Sequence, residues 1–217
     1  TVERWFGITG RSVASLTGNP RYPNSPDLSF VQTEGTEPTI NVDDNFGQRL
    51  RAWFLPTQTG PHTFYIASDD SSELWLSTDS SPANLVKIAS LNGSTLYQDW
   101  TATASQRSAP VNLVAGQRYY MQVLHKEGGG SDHVSLAVDL PDGTSQKPME
   151  VSMVEPMPAP GIPVPSVAVS VEATDAQASE TGDSGLLTFT RTGSTAKALT
   201  VFYVVSGTRS EERRVGK

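Results

Sequence analysis

The stretch His62-Thr-Phe-Tyr-Ile-Ala-Ser-Asp-Asp-Ser-Ser-Glu-Leu-Trp-Leu76 carries two alternating halves around an aspartate pair. Before the pair, Phe64 and Ile66 alternate with Thr63 and Tyr65; after it, Leu74 and Leu76 share one side of a second run. A period of two is the signature of a β-strand with unlike faces. Neighbouring side chains of a strand point to opposite faces, so Asp69 and Asp70 could not normally grip one ion together. A cis peptide between them turns both carboxylates to one side. Calcium, a hard cation that takes about six to eight oxygen ligands, suits such a pair. The same Asp-Asp-Ser-Ser run also reads as a plain solvated turn, and a second doublet, Asp43-Asp44, shows that the pattern alone is not specific.

Working outward, Gln48–Leu55 alternates Leu50, Ala52 and Phe54 against Arg49, Arg51 and Trp53. Arg118–Lys126 and His133–Leu140 alternate over longer stretches, the second through Val134, Leu136, Val138 and Leu140. Long helical periodicity is absent, and only Ser12–Leu16 suggests a short helical turn. Alternating runs separated by turn residues predict an all-β chain with antiparallel sheets packed as a sandwich.

A second candidate segment is Leu124-His-Lys-Glu-Gly-Gly-Gly-Ser-Asp-His-Val134. Its three glycines permit a tight loop with positive φ and bare carbonyls, and Asp132 adds a carboxylate beyond them. A simple glycine hairpin explains the same residues without a metal. His125 and His133 flank the loop. Zinc between them is a weaker reading than their placement on paired strands.

Several separated motifs together carry a resemblance. Glu3-Arg-Trp-Phe-Gly-Ile8, Asp44-Asn-Phe-Gly-Gln-Arg-Leu-Arg51, the run from Thr63 to Leu76, and Gln117 to Gly143 with its Leu-Pro-Asp-Gly end occur in order. Over about residues 1–155 the chain resembles the PA-fourteen domain, a β-sandwich named for anthrax protective antigen. The family occurs in secreted glycosidases, yeast adhesins, and bacterial surface proteins and toxins. Many members bind sugars through calcium, and some only support assembly. The resemblance implies that Asp69 and Asp70 match the calcium pair, and that Gly129, Gly130 and Asp132 match the second calcium loop. On this reading Asp69 and Asp70 also meet the sugar, whose hydroxyls replace waters on the open face of the ion. Glu127 and Ser131 then select which sugar fits. Trp100, or Tyr97 beside it, would stack on the ring, although a loop anchored by a buried tryptophan accounts for Trp100 equally simply.

Composition narrows the alternatives. The chain has 217 residues, no cysteine, 18 glycines and 15 prolines, and a formal charge of −7. Without cysteine there is no disulfide, thiol nucleophile or thiolate zinc site. Without a basic face, nucleic acid is not an expected partner. No apolar run approaches the roughly 20 residues of a membrane span. No signal peptide is visible and Thr1 is not an initiator methionine, so the chain reads as an excerpt of a longer protein. No Gly-x-Ser-x-Gly elbow is present, and adjacent aspartates suit a metal better than a glycosidase pair.

Glu155-Pro-Met-Pro-Ala-Pro-Gly-Ile-Pro-Val-Pro165 has five prolines in eleven residues and reads as a stiff linker. Its bulk, 156–165, separates domain 1–155 from a new alternating segment. Val167, Val169 and Val171, then Ser179-Glu-Thr-Gly-Asp-Ser-Gly-Leu-Leu-Thr-Phe-Thr-Arg-Thr-Gly193 and Leu199–Thr208, resemble the first strands of a Calx-beta domain over 166–208. That family is an immunoglobulin-like sandwich, here incomplete. Its early acidic position is Glu180, whose partner ligands the chain lacks. The charged end, Arg209–Lys217, reads as translated sequencing adapter. The expected whole is a non-enzymatic, calcium-dependent carbohydrate-binding module of an extracellular or cell-surface protein, with a glycan and neighbouring domains as partners. A structural interaction module, or an accessory domain of a secreted glycosidase, stays open.

Overall fold

A computed structural model describes residues 1–32, 36–157, 168–175 and 185–192. Two units divide the chain, Thr1–Ile162 and Pro163–Lys217. In the first, the strands are β1 (Val2–Trp5), β2 (Leu28–Phe30), β3 (Phe46–Phe54), β4 (Gly60–Asp69), β5 (Ser71–Ser77) and β6 (Leu85–Leu91). They continue with β7 (Val111–Leu113), β8 (Tyr119–Glu127), β9 (His133–Asp139), β10 (Ser145–Gln146) and β11 (Val154–Pro156). One five-residue helix, α1 (Val13–Thr17), confirms the helical turn expected near Ser12–Leu16. The last strand extends one residue beyond the expected domain end, because Pro156 still pairs with Ala52.

One sheet has the order β2-β1-β3-β8-β5-β6, with β11 also on β3; the other has the order β10-β9-β4-β7. All of these pairings are antiparallel. Between the sheets, Phe54, Leu74, Met121 and Val123 meet Phe64, Ile66, Leu136 and Val138 in one core. Alternation thus places the core as expected. The chain is all-β and antiparallel, with the two sheets stacked as a sandwich.

Two features depart from the expected pattern. The glycine segment is not a hairpin: β8 lies in the first sheet and β9 in the second, so His125 and His133 are not on paired strands. In β4, moreover, Thr63 and Tyr65 are buried as well as Phe64 and Ile66. The segment after β6 folds over the outer face of β4. Gln106 Nε2 donates to the carbonyls of Ile66 and Asp99, and the Phe64 N–H donates to Ser108 Oγ. Period-two alternation tells which residues share a face, and a covering loop decides whether that face stays wet.

The two outlying motifs join at a buried ion pair. Glu3 sits opposite Arg49 in the β1–β3 register and is fully buried. It accepts from Arg49 Nε at 2.6 Å and Arg51 Nη2 at 2.8 Å. Arg49 also lies over the rings of Trp5 and Tyr22. A buried carboxylate shared by two guanidinium groups is satisfied on both oxygens.

In the second unit, β12 (Ala168–Asp175) pairs antiparallel with β13 (Leu186–Thr192). Val171 pairs with Phe189 and Ala173 with Leu187, so one side of this pair is apolar apart from Arg191, opposite Val169. Most of the proline-rich linker, Glu180, the run Leu199–Thr208 and the charged tail Arg209–Lys217 lie outside the described residues.

Candidate functional site

Two chain crossings meet at one end of the sandwich. β4 ends at Asp69 and the chain passes to the other sheet at Ser71; β8 ends at Glu127 and passes the opposite way to His133. The register sets them side by side, with Asp69 opposite His133 and Ser71 opposite Lys126. The Asp69–Asp70 peptide is cis, matching the geometry expected of the doublet. One carboxylate oxygen each from Asp69, Asp70 and Glu127 lies within 4.8 Å of the others.

This group is buried rather than solvated. Asp70 is 3% exposed and Glu127 is 0% exposed. Neither oxygen of Glu127 has a hydrogen bond of ordinary geometry. Burial, and then the charge of Asp70, push the Glu127 carboxyl up to about 7; nearby amides of Gly129 and Asp70 offset part of this. Burial and Asp70 likewise raise Asp69. Like charges brought together in a buried place call for a cation. Lys126, fully buried, donates from Nζ to the Glu127 carbonyl and acts on the Glu127 and Asp70 carboxylates through its charge without a hydrogen bond to either. Three carboxylates, two of them buried, with oxygens within 4.8 Å of one another, fit a hard divalent ion.

The surroundings hold these groups in place. Gly128 N–H donates to Asp70 Oδ2 at 3.0 Å, and Gly130 N–H donates to Asp44 Oδ1 at 3.0 Å. Asn45 N–H donates to the Gly128 carbonyl at 3.2 Å. Among the described residues the Gly129 and Gly130 carbonyls accept no hydrogen bond. Gly130 has φ +114°, a conformation that favours glycine. Behind the pair, His125 is neutral at pH 7, since burial lowers its pKa to about 4. Its Nε2–H donates to the Asp69 carbonyl at 2.7 Å, while Nδ1 accepts from Gln48 Nε2 at 2.9 Å. Those partners set the tautomer.

Asp132 lies outside the three carboxylates whose oxygens come within 4.8 Å of one another, and its buried Oδ1 has no hydrogen-bond partner. Its Oδ2 accepts from the backbone N–H groups of Val42 and Asp43, and its carbonyl accepts from Asn41 N–H. It braces the glycine loop against residues 41–45, and burial raises its pKa. Glu127, expected to be a sugar-selecting contact, is instead the third buried carboxylate. Ser131 lines an open cleft with Asp69, Asn41, Tyr97, Asp132 and His133. Tyr97 packs edge-on against His133 at 5.5 Å between centroids, and its hydroxyl donates to Glu37. Trp100 does not line this cleft; it is half-buried.

The PA14 domain family matches this chain over residues 10–152. The chain belongs to the PA14 domain family. Among curated relatives, mouse (Mus musculus) N-acetyl-beta-glucosaminyl-glycoprotein 4-beta-N-acetylgalactosaminyltransferase 1 is 38% identical over 140 residues, 62% of this chain and 13% of that protein. Fibrocystin from Canis lupus familiaris is 33% identical over 87 residues, 37% of this chain and 2% of that protein. The chain therefore spans a small part of these relatives. Among solved structures, the epithelial adhesin 6 A domain from Candida glabrata, in complex with Galb1-3GlcNAc, is similar at TM-score 0.39 and 18% identity. That likeness covers 52% of this chain and 51% of the adhesin chain.

Sequence reasoning overlooked two residues of this PA14 domain. Arg11 Nη1 lies 3.6 Å from Asp70 Oδ1. Asp44, in the doublet that served as an example of a common pattern, caps the glycine loop. Its presence in the quoted Asp44–Arg51 motif was the available signal.

Proposed function

We propose that this PA14 domain is a calcium-dependent carbohydrate-binding module. Glu127 carries the reading: a fully buried carboxylate whose two oxygens lack hydrogen-bond partners, beside the Asp69–Asp70 pair. Asp69, Asp70 and Glu127 would supply carboxylate oxygens to the ion, and Gly129 and Gly130 their free carbonyls. Bound calcium supplies a positive centre with open positions that two sugar hydroxyls can fill. The protein's own part is to align the pair, Asp70 through the Gly128 amide on its Oδ2 and Asp69 through His125 on its backbone carbonyl. Tyr97 and Ser131 then border the open side where a sugar ring would lie. The name of the mouse relative describes an enzyme that acts on glycoprotein sugars, which fits a glycan partner.

The domain itself is read as non-catalytic and as working outside the cell, at the surface or in secreted form. No described helix is long and apolar enough to cross a membrane. The small share of its relatives that the chain spans favours a second, compatible reading as an accessory module of a longer protein. Residues 166–208 are kept as the opening of a Calx-beta-like module, supported by the amphipathic β12–β13 pair. Glycan-array binding in calcium and in chelator tests the main reading. Binding that is the same in both would remove calcium from it, and no binding in either would remove the sugar.

A further inference from the structure

We propose that Arg11 makes the site select acidic saccharides, by receiving a carboxylate or sulfate group in the cleft on the Asp70 side of the carboxylates. This rests on the ion-and-sugar reading above and adds the charge of the ligand to it.

Arg11 is placed rather than loose. A Cβ on Gly128 would come within 2.6 Å of Arg11 Cγ, so the arginine stem lies directly on the glycine loop. The head group is nevertheless open: the side chain is 70% exposed, against 4% for Asp70. Its contact with Asp70 is 3.6 Å, too long for a charge-assisted hydrogen bond, and no other ion pair engages it among the described residues. A guanidinium offers a planar fork of N–H donors suited to carboxylate and sulfate oxygens.

The cleft around it has matching chemistry. Gly10, Ser12, Ser15, Asn92 and Ser94 line it with hydroxyl, amide and backbone groups, and Asp70 is its one acidic residue. A divalent ion on Asp69, Asp70 and Glu127 would draw the Asp70 charge to itself and leave Arg11 facing the ligand. The chain as a whole carries −7 and repels acidic saccharides, so a preference for them must come from such a local cation. Asp70 lines this cleft and Asp69 lines the one with Tyr97 and Ser131, so the aspartate pair stands between the two.

The test uses the full chain in calcium on an array of matched neutral, carboxylated and sulfated saccharides, with Arg11→Gln and Arg11→Lys alongside. Acidic members should bind at least about fivefold more tightly than their neutral counterparts, as a charge-assisted contact implies. Arg11→Gln should bring that ratio to about one, and Arg11→Lys should keep part of it. Calorimetry with calcium alone should show Arg11→Gln binding the ion about twofold more tightly, because one nearby cation is gone. Equal binding of acidic and neutral sugars by the natural chain, or a preference that survives Arg11→Gln, would overturn the role of Arg11 and leave the ion-and-sugar reading standing. If calcium binds nowhere, or no saccharide binds, that reading falls and this inference with it. Whether carboxylated or sulfated members bind better identifies the anion.

Discussion

Gly128 and Asp70, 58 residues apart, are joined by a 3.0 Å hydrogen bond from the glycine N–H to Asp70 Oδ2. This bond ties the crossing after β8 to the crossing after β4. It makes the two loops one unit, so an event at the carboxylates should be felt across the end of the sandwich.

Calcium should therefore stabilise the fold by mass action. A ligand at about a hundred times its Kd adds about 2.7 kcal/mol, which for a domain of this size is on the order of 5–10 °C in Tm. Differential scanning calorimetry of the full chain in calcium and in chelator measures this. Asp70→Asn should lose most of the rise. Identical melting in both conditions would count against an ion at this site.

In the ion-free protein Glu127 should contribute a loss of stability as pH rises from about 4.5 to 7, against the opposite trend from the buried His125, whose pKa is lowered to about 4. The Glu127 carboxyl is raised from 4.5 to about 7 in the fold. Between those values the folded state holds a proton that the unfolded state has lost, so this contribution falls through that window. Thermal melting in chelator across this range should therefore rise more steeply with pH in Glu127→Gln than in the natural chain, and parallel curves would contradict the raised Glu127 carboxyl. With calcium the sign reverses, because the ion needs Glu127 ionised and binds more tightly above pH 7.

Two glycine-to-alanine changes should separate site from scaffold. At Gly128 an added Cβ would also lie 3.2 Å from Asp70 Oδ2, so calcium affinity should drop about tenfold while the exposed Arg11 yields. At Gly47 the Cβ would meet Leu16 Cδ1 at 2.6 Å, under helix α1. That change should cost about 1–3 kcal/mol of stability and spare ion affinity. Paired calorimetry and melting curves distinguish the two, and equal effects on both readouts would contradict this division.

Tyr97 and Trp100 should also part company. Tyr97 borders the cleft with Asp69, and stacking of its ring is worth about 0.5–1.5 kcal/mol. Tyr97→Ala should weaken sugar binding by roughly two- to tenfold. Trp100→Ala should lower Tm and leave sugar affinity in place. Titration of a bound saccharide into both variants checks this, and loss of affinity in the Trp100 variant alone would return Trp100 to the site.

Local pattern was enough for the strands. The alternation in Gln48–Leu55, Thr63–Ser68 and His133–Leu140 marks faces that any sandwich must bury, and the aspartate doublet announced a site by its chemistry. What the chain could not show by itself was which distant groups meet. Asp132 and Glu127 stand five residues apart around the same glycines, and only the cross-strand register tells that Glu127 reaches the pair while Asp132 turns to the 41–45 backbone. Tyr65 looked solvent-facing until the 95–108 segment covered β4. Arg11 carries no local mark at all. Strand formation is decided by side-chain period over a few residues, so a sequence displays it. Contacts such as Arg11 to Asp70 are decided by how two crossings stack at one end of two sheets, and that is settled only when the whole sandwich closes.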